Sequence, residues 1–141
     1  MMENILPVLL IAVFAVPVQA DEVYRKNRKA NRLYKEGKYE EALELYNDAL
    51  LEAPRDPALK MNRGSAQYKL ENYSAAEEDY TSALSKKDEK ARADLHYNLG
   101  NALYRQGEQL MQMGQPQANE KFKQALENYK KTLDINPGDM D

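Results

Sequence analysis

A period in the thirties dominates this chain and narrows what it can fold into more than any other feature. Shifted by 34, Leu33-Tyr34-Lys35-Glu36-Gly37-Lys38-Tyr39-Glu40-Glu41-Ala42 falls on Gln67-Tyr68-Lys69-Leu70-Glu71-Asn72-Tyr73-Ser74-Ala75-Ala76, and Tyr46, Ala49 and Leu50 fall on Tyr80, Ala83 and Leu84. A further shift of 36 puts Ala66-Gln67-Tyr68-Lys69 on Ala102-Leu103-Tyr104-Arg105. After an excess of 13 residues, Ala125, Tyr129, Thr132 and Leu133 take the places of Ala76, Tyr80, Ala83 and Leu84. Three copies of one unit nearly fill the chain of 141 residues. A unit this short cannot bury an apolar face alone, so the copies must stack into a one-dimensional array.

Within each unit the apolar residues recur at helical spacing, Ala30, Leu33 and Tyr34 on a first helix and Ala42, Tyr46, Ala49 and Leu50 on a second. Gly37-Lys38, Glu71-Asn72 and Gly114-Gln115-Pro116 read as turns between the paired helices. Pro54 and Pro137 stop the second helices, because proline cannot donate into the preceding turn. Small residues recur where two helices must approach closely: Ala30, Gly64 and Gly100 on the first helices, Ala42, Ala76 and Ala125 on the second. The pattern predicts an all-α fold of three antiparallel helix pairs, over 22–36, 39–52, 57–70, 73–86, 89–113 and 117–134. Sharing the excess between the helices of the third unit gives each about two further turns and leaves their apolar faces in phase. The third hairpin should therefore project beyond the others, with Leu110 and Met113 meeting Ala118 and Phe122 under a Met-bearing tip.

The N-terminus belongs to another regime. Ile5–Val16 is twelve residues without a charge, followed by Pro17-Val18-Gln19-Ala20 and a polar Asp21-Glu22. An apolar core of this length, a helix breaker and small residues before a polar start have the layout of a secretory signal peptide cut after Ala20. The preceding Met-Met-Glu-Asn carries no Lys or Arg. The alternative is an uncleaved anchor, for which Ile5–Ala20 falls short of the roughly 20 residues of a spanning helix. The expected organisation is a signal peptide (1–20), three units (21–56, 57–88 and 89–137) and, over 138–141, the truncated start of a further helix. The product is expected to be exported, periplasmic or otherwise extracytoplasmic, or else tethered by its N-terminus.

Composition removes whole classes of chemistry. Without Cys there is no disulfide, thiolate nucleophile or Cys-held metal cluster, and a formal charge of −3 argues against a nucleic-acid partner. No phosphate-cradling Gly-rich loop, HExxH or GxSxG occurs, and His96 stands alone as the one histidine. Asp139 and Asp141 fall short of the oxygens a calcium site needs. The expectation is a non-enzyme with no cofactor, no metal and no small-molecule substrate. Acidic runs such as Glu40-Glu41 and Glu77-Glu78-Asp79 read as solvated faces.

Tyr97-Asn98-Leu99-Gly100-Asn101-Ala102-Leu103-Tyr104 with Gly107, and Gly37-Lys38-Tyr39-Glu40-Glu41-Ala42 with Tyr46, Ala49 and Pro54, resemble the tetratricopeptide repeat (TPR) family over about residues 23–137. The resemblance departs where the family favours a large aromatic early in the first helix, here Lys26, Lys60 and His96, and where Asp88 replaces the proline closing the second unit. Signal peptide and repeat together are similar to the TPR proteins of bacterial aerotolerance (Bat-type) operons. The family implies a solenoid whose first helices line a concave groove for a peptide or protein partner. Side chains matter there by column: Tyr34, Tyr68 and Tyr104; Lys35, Lys69 and Arg105; Asn31, Asn62, Asn98 and Asn101, with Asn27 and Tyr97 a turn earlier. Asn amides can satisfy an extended backbone, Tyr faces can cover apolar side chains, and cations can attract acidic groups.

The carboxylate-clamp subset of the family holds chaperone C-termini with two Asn and three cations. Asn31 and Asn62 match its Asn positions, but Asn27, Asp94 and Asn98 stand where it needs cations, which argues against that ligand. Two functions follow: an adaptor for a membrane-associated complex that uses the groove, or an assembly module that uses its ends and convex face. The last helix carries Phe122, Ala125, Leu126, Tyr129, Leu133 and Ile135, more apolar surface than one neighbour should consume. Either further chain, self-association or a partner is expected to cover it.

Overall fold

The computed structural model describes residues 18–84 and 89–138. Among them are six helices and no strand: α1 (Val18–Lys35), α2 (Tyr39–Glu52), α3 (Pro57–Lys69), α4 (Tyr73–Ala83), α5 (Glu89–Gln112) and α6 (Ala118–Ile135). They pack as three successive pairs, with α2 on α3 and α4 on α5 joining the pairs, and with α1 beside α3 beside α5. The expected all-α stack is the observed one. Its helices differ from the expected spans by a few residues at their ends, and α1 is already helical at Val18 and runs through the expected cleavage position. The expected signal core, the end of the fourth helix, Asp88 and the last carboxylates lie outside the described residues.

The same device closes each pair. The second residue after the first helix turns left-handed, with φ +78° at Gly37, +62° at Glu71 and +67° at Gly114. The next amide then donates back to the helix: Lys38 N to Leu33 O (2.9 Å), Asn72 N to Gln67 O (2.9 Å) and Gln115 N to Leu110 O (2.8 Å). These bonds satisfy carbonyls that the helix end would otherwise leave open. At the start of α3, Asp56 caps the helix by accepting from the amides of Ala58 (2.8 Å) and Leu59 (3.2 Å), with Pro57 in the first turn.

Small residues are buried where close approach was expected, and the reason is aromatic. Each second helix lays a ring across the backbone of its partner at a small residue. A Cβ on Gly64 would lie 2.9 Å from Tyr80 Cε1, and one on Gly100 2.6 Å from Tyr129 Cε1. Where the family favours a large aromatic, this chain bridges the pair with polar groups. Lys26 Nζ donates to Glu52 Oε1 (2.6 Å), Lys60 Nζ to Ser82 Oγ (2.6 Å), and His96 Nδ1 lies 2.9 Å from Asn128 Oδ1.

The buried apolar residues form two clusters. One joins α1, α2 and α3 through Ala30, Tyr46, Leu50 and Leu59; the other joins α4, α5 and α6 through Tyr80, Leu95, Leu99 and Ala125. The seam between them runs through the second unit, where Asp79, only 5% exposed, accepts both Arg63 Nε (2.8 Å) and Arg63 Nη2 (2.5 Å). This corrects the reading of Glu77-Glu78-Asp79 as a solvated face: a helix turns consecutive residues to different sides, and only Glu78 faces solvent. Glu77 instead accepts Gln106 Nε2 (2.6 Å) and Lys121 Nζ (2.8 Å), which ties the third hairpin to α4.

That hairpin extends as expected, α5 having 24 residues and α6 18 against 13 and 11 in the second pair. Its internal packing differs from expectation at the tip. Met113 is 71% exposed, because the turn at Gly114 directs it away from α6. Phe122 packs instead on Gly107, whose Cβ would come within 2.6 Å of its ring, and on Tyr104 at 5.4 Å between ring centres.

Candidate functional site

With α1, α3 and α5 side by side, a concave strip forms along their common face. Two adjoining hollows occupy it. One, of about 300 Å³, is lined by Asn31, Tyr34, Lys35, Tyr46, Asn62 and Ser65. The other, of about 230 Å³, is lined by Tyr34, Ser65, Tyr68, Lys69, Tyr80, Asn98 and Asn101. Tyr34 and Ser65 belong to both, so the hollows are continuous.

The floor is a ladder with the period of the repeat. The hydroxyl of each second-helix Tyr passes its small residue and donates to the next position of the first helix: Tyr46 to Asn31 Oδ1 (2.6 Å), Tyr80 to Ser65 Oγ (3.3 Å) and Tyr129 to Asn101 Oδ1 (2.8 Å). Burial pushes all three phenols up to about 12. They are neutral, fixed donors at any physiological pH. Above the floor, Tyr34 and Tyr68 form the walls, each edge-on to a Tyr of the following helix, Tyr39 and Tyr73, at 5.2 Å between ring centres.

Eight of the residues expected in a groove line this strip: Asn31, Tyr34, Lys35, Asn62, Tyr68, Lys69, Asn98 and Asn101. The other four lie elsewhere. Asn27 lines a separate hollow between α1 and the start of α3, where its Oδ1 accepts Asn62 Nδ2 (3.1 Å). Tyr97 lines a hollow of about 460 Å³ at the far end, with Asp94, Tyr129, Thr132 and Leu133. Tyr104 stands over Phe122. Arg105 leaves the cationic column sideways, its Nε donating to Tyr73 Oη (3.1 Å) and its Nη1 to Glu108 Oε2 (2.6 Å).

Lys35, Lys69 and Asn98 thus line the groove without a hydrogen-bond or ion-pair partner among the described residues. The strip also includes Ser65, Tyr46 and Tyr80, which had no place among the expected groove residues. Ser65 had a signal, standing one period from both Asn31 and Asn101. The two tyrosines had the signal of core, and they are core except at the hydroxyl. Among the described residues no three His, Asp or Glu gather as a metal site, and no helix is long and apolar enough to cross a membrane.

Comparison with known proteins agrees with this architecture. A tetratricopeptide repeat family model matches residues 27–91 and 63–109. RNA polymerase II-associated protein 3 of Mus musculus is 28% identical over 126 residues, 89% of this chain and 17% of that protein, and its Rattus norvegicus counterpart is 29% identical over the same span. The chain therefore spans about a sixth of the length of these relatives. Among solved structures, the first TPR of Spaghetti (RPAP3) bound to HSP90 peptide SRMEEVD superposes with a TM-score of 0.69 at 24% identity, covering 85% of this chain and 83% of that one. The second TPR domain of human RPAP3, in complex with HSP70 peptide SGPTIEEVD, superposes with a TM-score of 0.66 at 23% identity, covering 85% and 88%. At these identities the likeness is one of fold. The repeat, the helix pairs and a family match over more than half of its length agree: the chain belongs to the tetratricopeptide repeat family.

Proposed function

We propose that this chain is a non-catalytic adaptor whose groove holds an extended peptide from a protein partner. The observation that carries the reading is the continuous strip on α1, α3 and α5, in which Lys35, Lys69 and Asn98 are unspent while Tyr34 and Tyr68 offer ring surface. Lys35 and Lys69 draw acidic side chains, and Asn98 pairs with backbone. The solved relatives hold chaperone peptides ending in Glu-Val-Asp. This groove suits a different peptide. At the positions that resemble the clamp cations it has Asn27, Asn98 and an exposed Asp94, and Asn27 and Asn62 bond each other. A photo-crosslinker at Tyr68 tests the reading in cells. It should trap one partner, and Lys35→Glu/Lys69→Glu should weaken capture at least about tenfold. Unchanged crosslinking would refute groove binding.

We further propose that the adaptor works outside the cytoplasm in a membrane-associated complex of the Bat type. The apolar run Ile5–Val16 and the small residues before Asp21 support this. Once cut, α1 would open with Asp21 and Glu22, acids suited to a helix N-terminus. N-terminal sequencing of the cellular protein should begin at Asp21, and an intact Met1 would overturn export with cleavage.

A second reading, assembly through the end of the array, has its own observation. α6 leaves Leu126 55% and Leu133 38% exposed. If copies or a partner cover this face, Leu126→Glu/Leu133→Glu should dissolve an association seen by sedimentation, while the lysine reversals should not.

A further inference from the structure

The outward face of α1 carries a charge pattern that the groove does not use. Between Val18 and Lys35 the sequence has six cations and two acids, a local charge of +4 on a chain whose total is −3. At 100° per residue, Arg25, Arg28, Lys29 and Arg32 share an arc of about 100°, opposite the face that buries Ala30 and packs Val23 and Tyr34. All four are exposed. Arg25 meets Asp21 only at 3.8 Å between two well-exposed side chains. Lys29 and Arg32 have no ion-pair or hydrogen-bond partner among the described residues. Other cations of the chain do have acidic partners, among them Lys26 on the flank of the same helix, Arg63, Lys121 and Lys131.

A solenoid needs a polar end, and a plain cap is the simplest account of such a stripe. A cap requires polarity but not a single sign. The exposed side of α6 mixes its signs, with Lys123, Glu127, Lys130, Lys131 and Asp134, and Lys131 pairs with Glu127 at 2.8 Å. Tyr24 adds a second observation. It is 58% exposed, beside the stripe, with the Arg28 guanidinium 5.7 Å from its ring centre. An exposed tyrosine flanked by cations matches the layer where lipid headgroups meet water. In sequence, the stripe begins nine residues after the apolar run Ile5–Val16 ends.

We propose that the Arg25–Arg32 stripe of α1 docks the array on an anionic phospholipid surface. A flat charged surface fits better than a nucleic acid, because the rest of the molecule carries the compensating negative charge and a membrane meets one face only. The stripe lies along the helix axis, so α1 rests parallel to the surface with Tyr24 at its edge.

The test uses the full chain and two sets of vesicles, phosphatidylcholine alone and phosphatidylcholine mixed with phosphatidylglycerol. Binding should favour the mixed vesicles and fall as salt is added. Arg28→Glu/Arg32→Glu should lose at least about 25-fold of that preference, at about fivefold per cation. Its partition into neutral vesicles, which reads the apolar run, should not change. Lys123→Glu/Lys130→Glu, with the same change in net charge on α6, should keep the preference. If the reversals disturb helical circular dichroism, Arg28→Gln/Arg32→Gln should show the same loss in smaller measure. Equal partition of the wild type between the two vesicle types would overturn the proposal, as would an equal loss in the α6 variant. Tighter binding to duplex DNA or RNA than to mixed vesicles at one salt concentration would overturn it too.

Discussion

At the scale of single residues, the tyrosines divide by where their hydroxyls sit. Tyr46 and Tyr80 are buried, and Tyr129 is half-buried, across the small residues of the first helices, and loss of water around the rings holds their phenols at about 12. An unfolded chain ionises its tyrosines near 10, so the stabilisation of the neutral form is full below pH 10 and drains away as pH rises towards 12. Absorbance titration should show a late group of tyrosines near pH 12, ionising together with loss of helical circular dichroism, and Tyr46→Phe should remove one member. Glu71 offers a second measurement. Its φ of +62° is left-handed, where a side chain costs about 1 kcal/mol and where the first and third turns use glycine. Glu71→Gly should stabilise the chain by about 1 kcal/mol in chemical denaturation. The column of tyrosines was legible in the sequence because it follows the period. The fate of Asp79 was not, because a run of three acids looks the same whether or not Arg63 reaches one of them.

At the scale of the helix pair, glycine sets the distance of approach. A methyl group on Gly100 or Gly107 would come within 2.6 Å of a ring carbon of Tyr129 or Phe122, while one on Gly64 would lie 2.9 Å from Tyr80. Alanine gains about 1 kcal/mol of helix propensity, and overpacking costs about 1–3 kcal/mol. Gly64→Ala should therefore be nearly neutral, and Gly100→Ala and Gly107→Ala should each lose about 1 kcal/mol or more, read from denaturation midpoints. All six helices were readable from spacing and turn residues. The tip of the third pair was misread at Met113, because helical phase carried its side chain towards α6 and the left-handed Gly114 ended the helix first. Arg105 left the cationic column for an equally local reason, since Tyr73 stands within hydrogen-bonding reach together with Glu108, an acid whose period equivalents are Asn72 and Lys38.

Across the whole molecule, packing is unequal along the array. The α5–α6 pair is the longest and the most extensively packed, and it is tied back to α4 through Glu77. The two core clusters meet at a seam inside the second unit, so the units of packing are not the units of sequence. Amide exchange followed by mass spectrometry should be slowest in α5 and α6 and faster in α1 and α2, and uniform protection would contradict this gradient. The long last pair also bears on how the protein is made. Synthesis runs from the N-terminus, so the ribosome releases α1 to α4 before the best-packed hairpin exists. Until α5 and α6 emerge, Tyr80 and Ala83 have no second cluster to enter, and the groove lacks its third wall. The groove proposed to hold a partner is therefore complete only once α5 has followed α1 and α3 out of the ribosome.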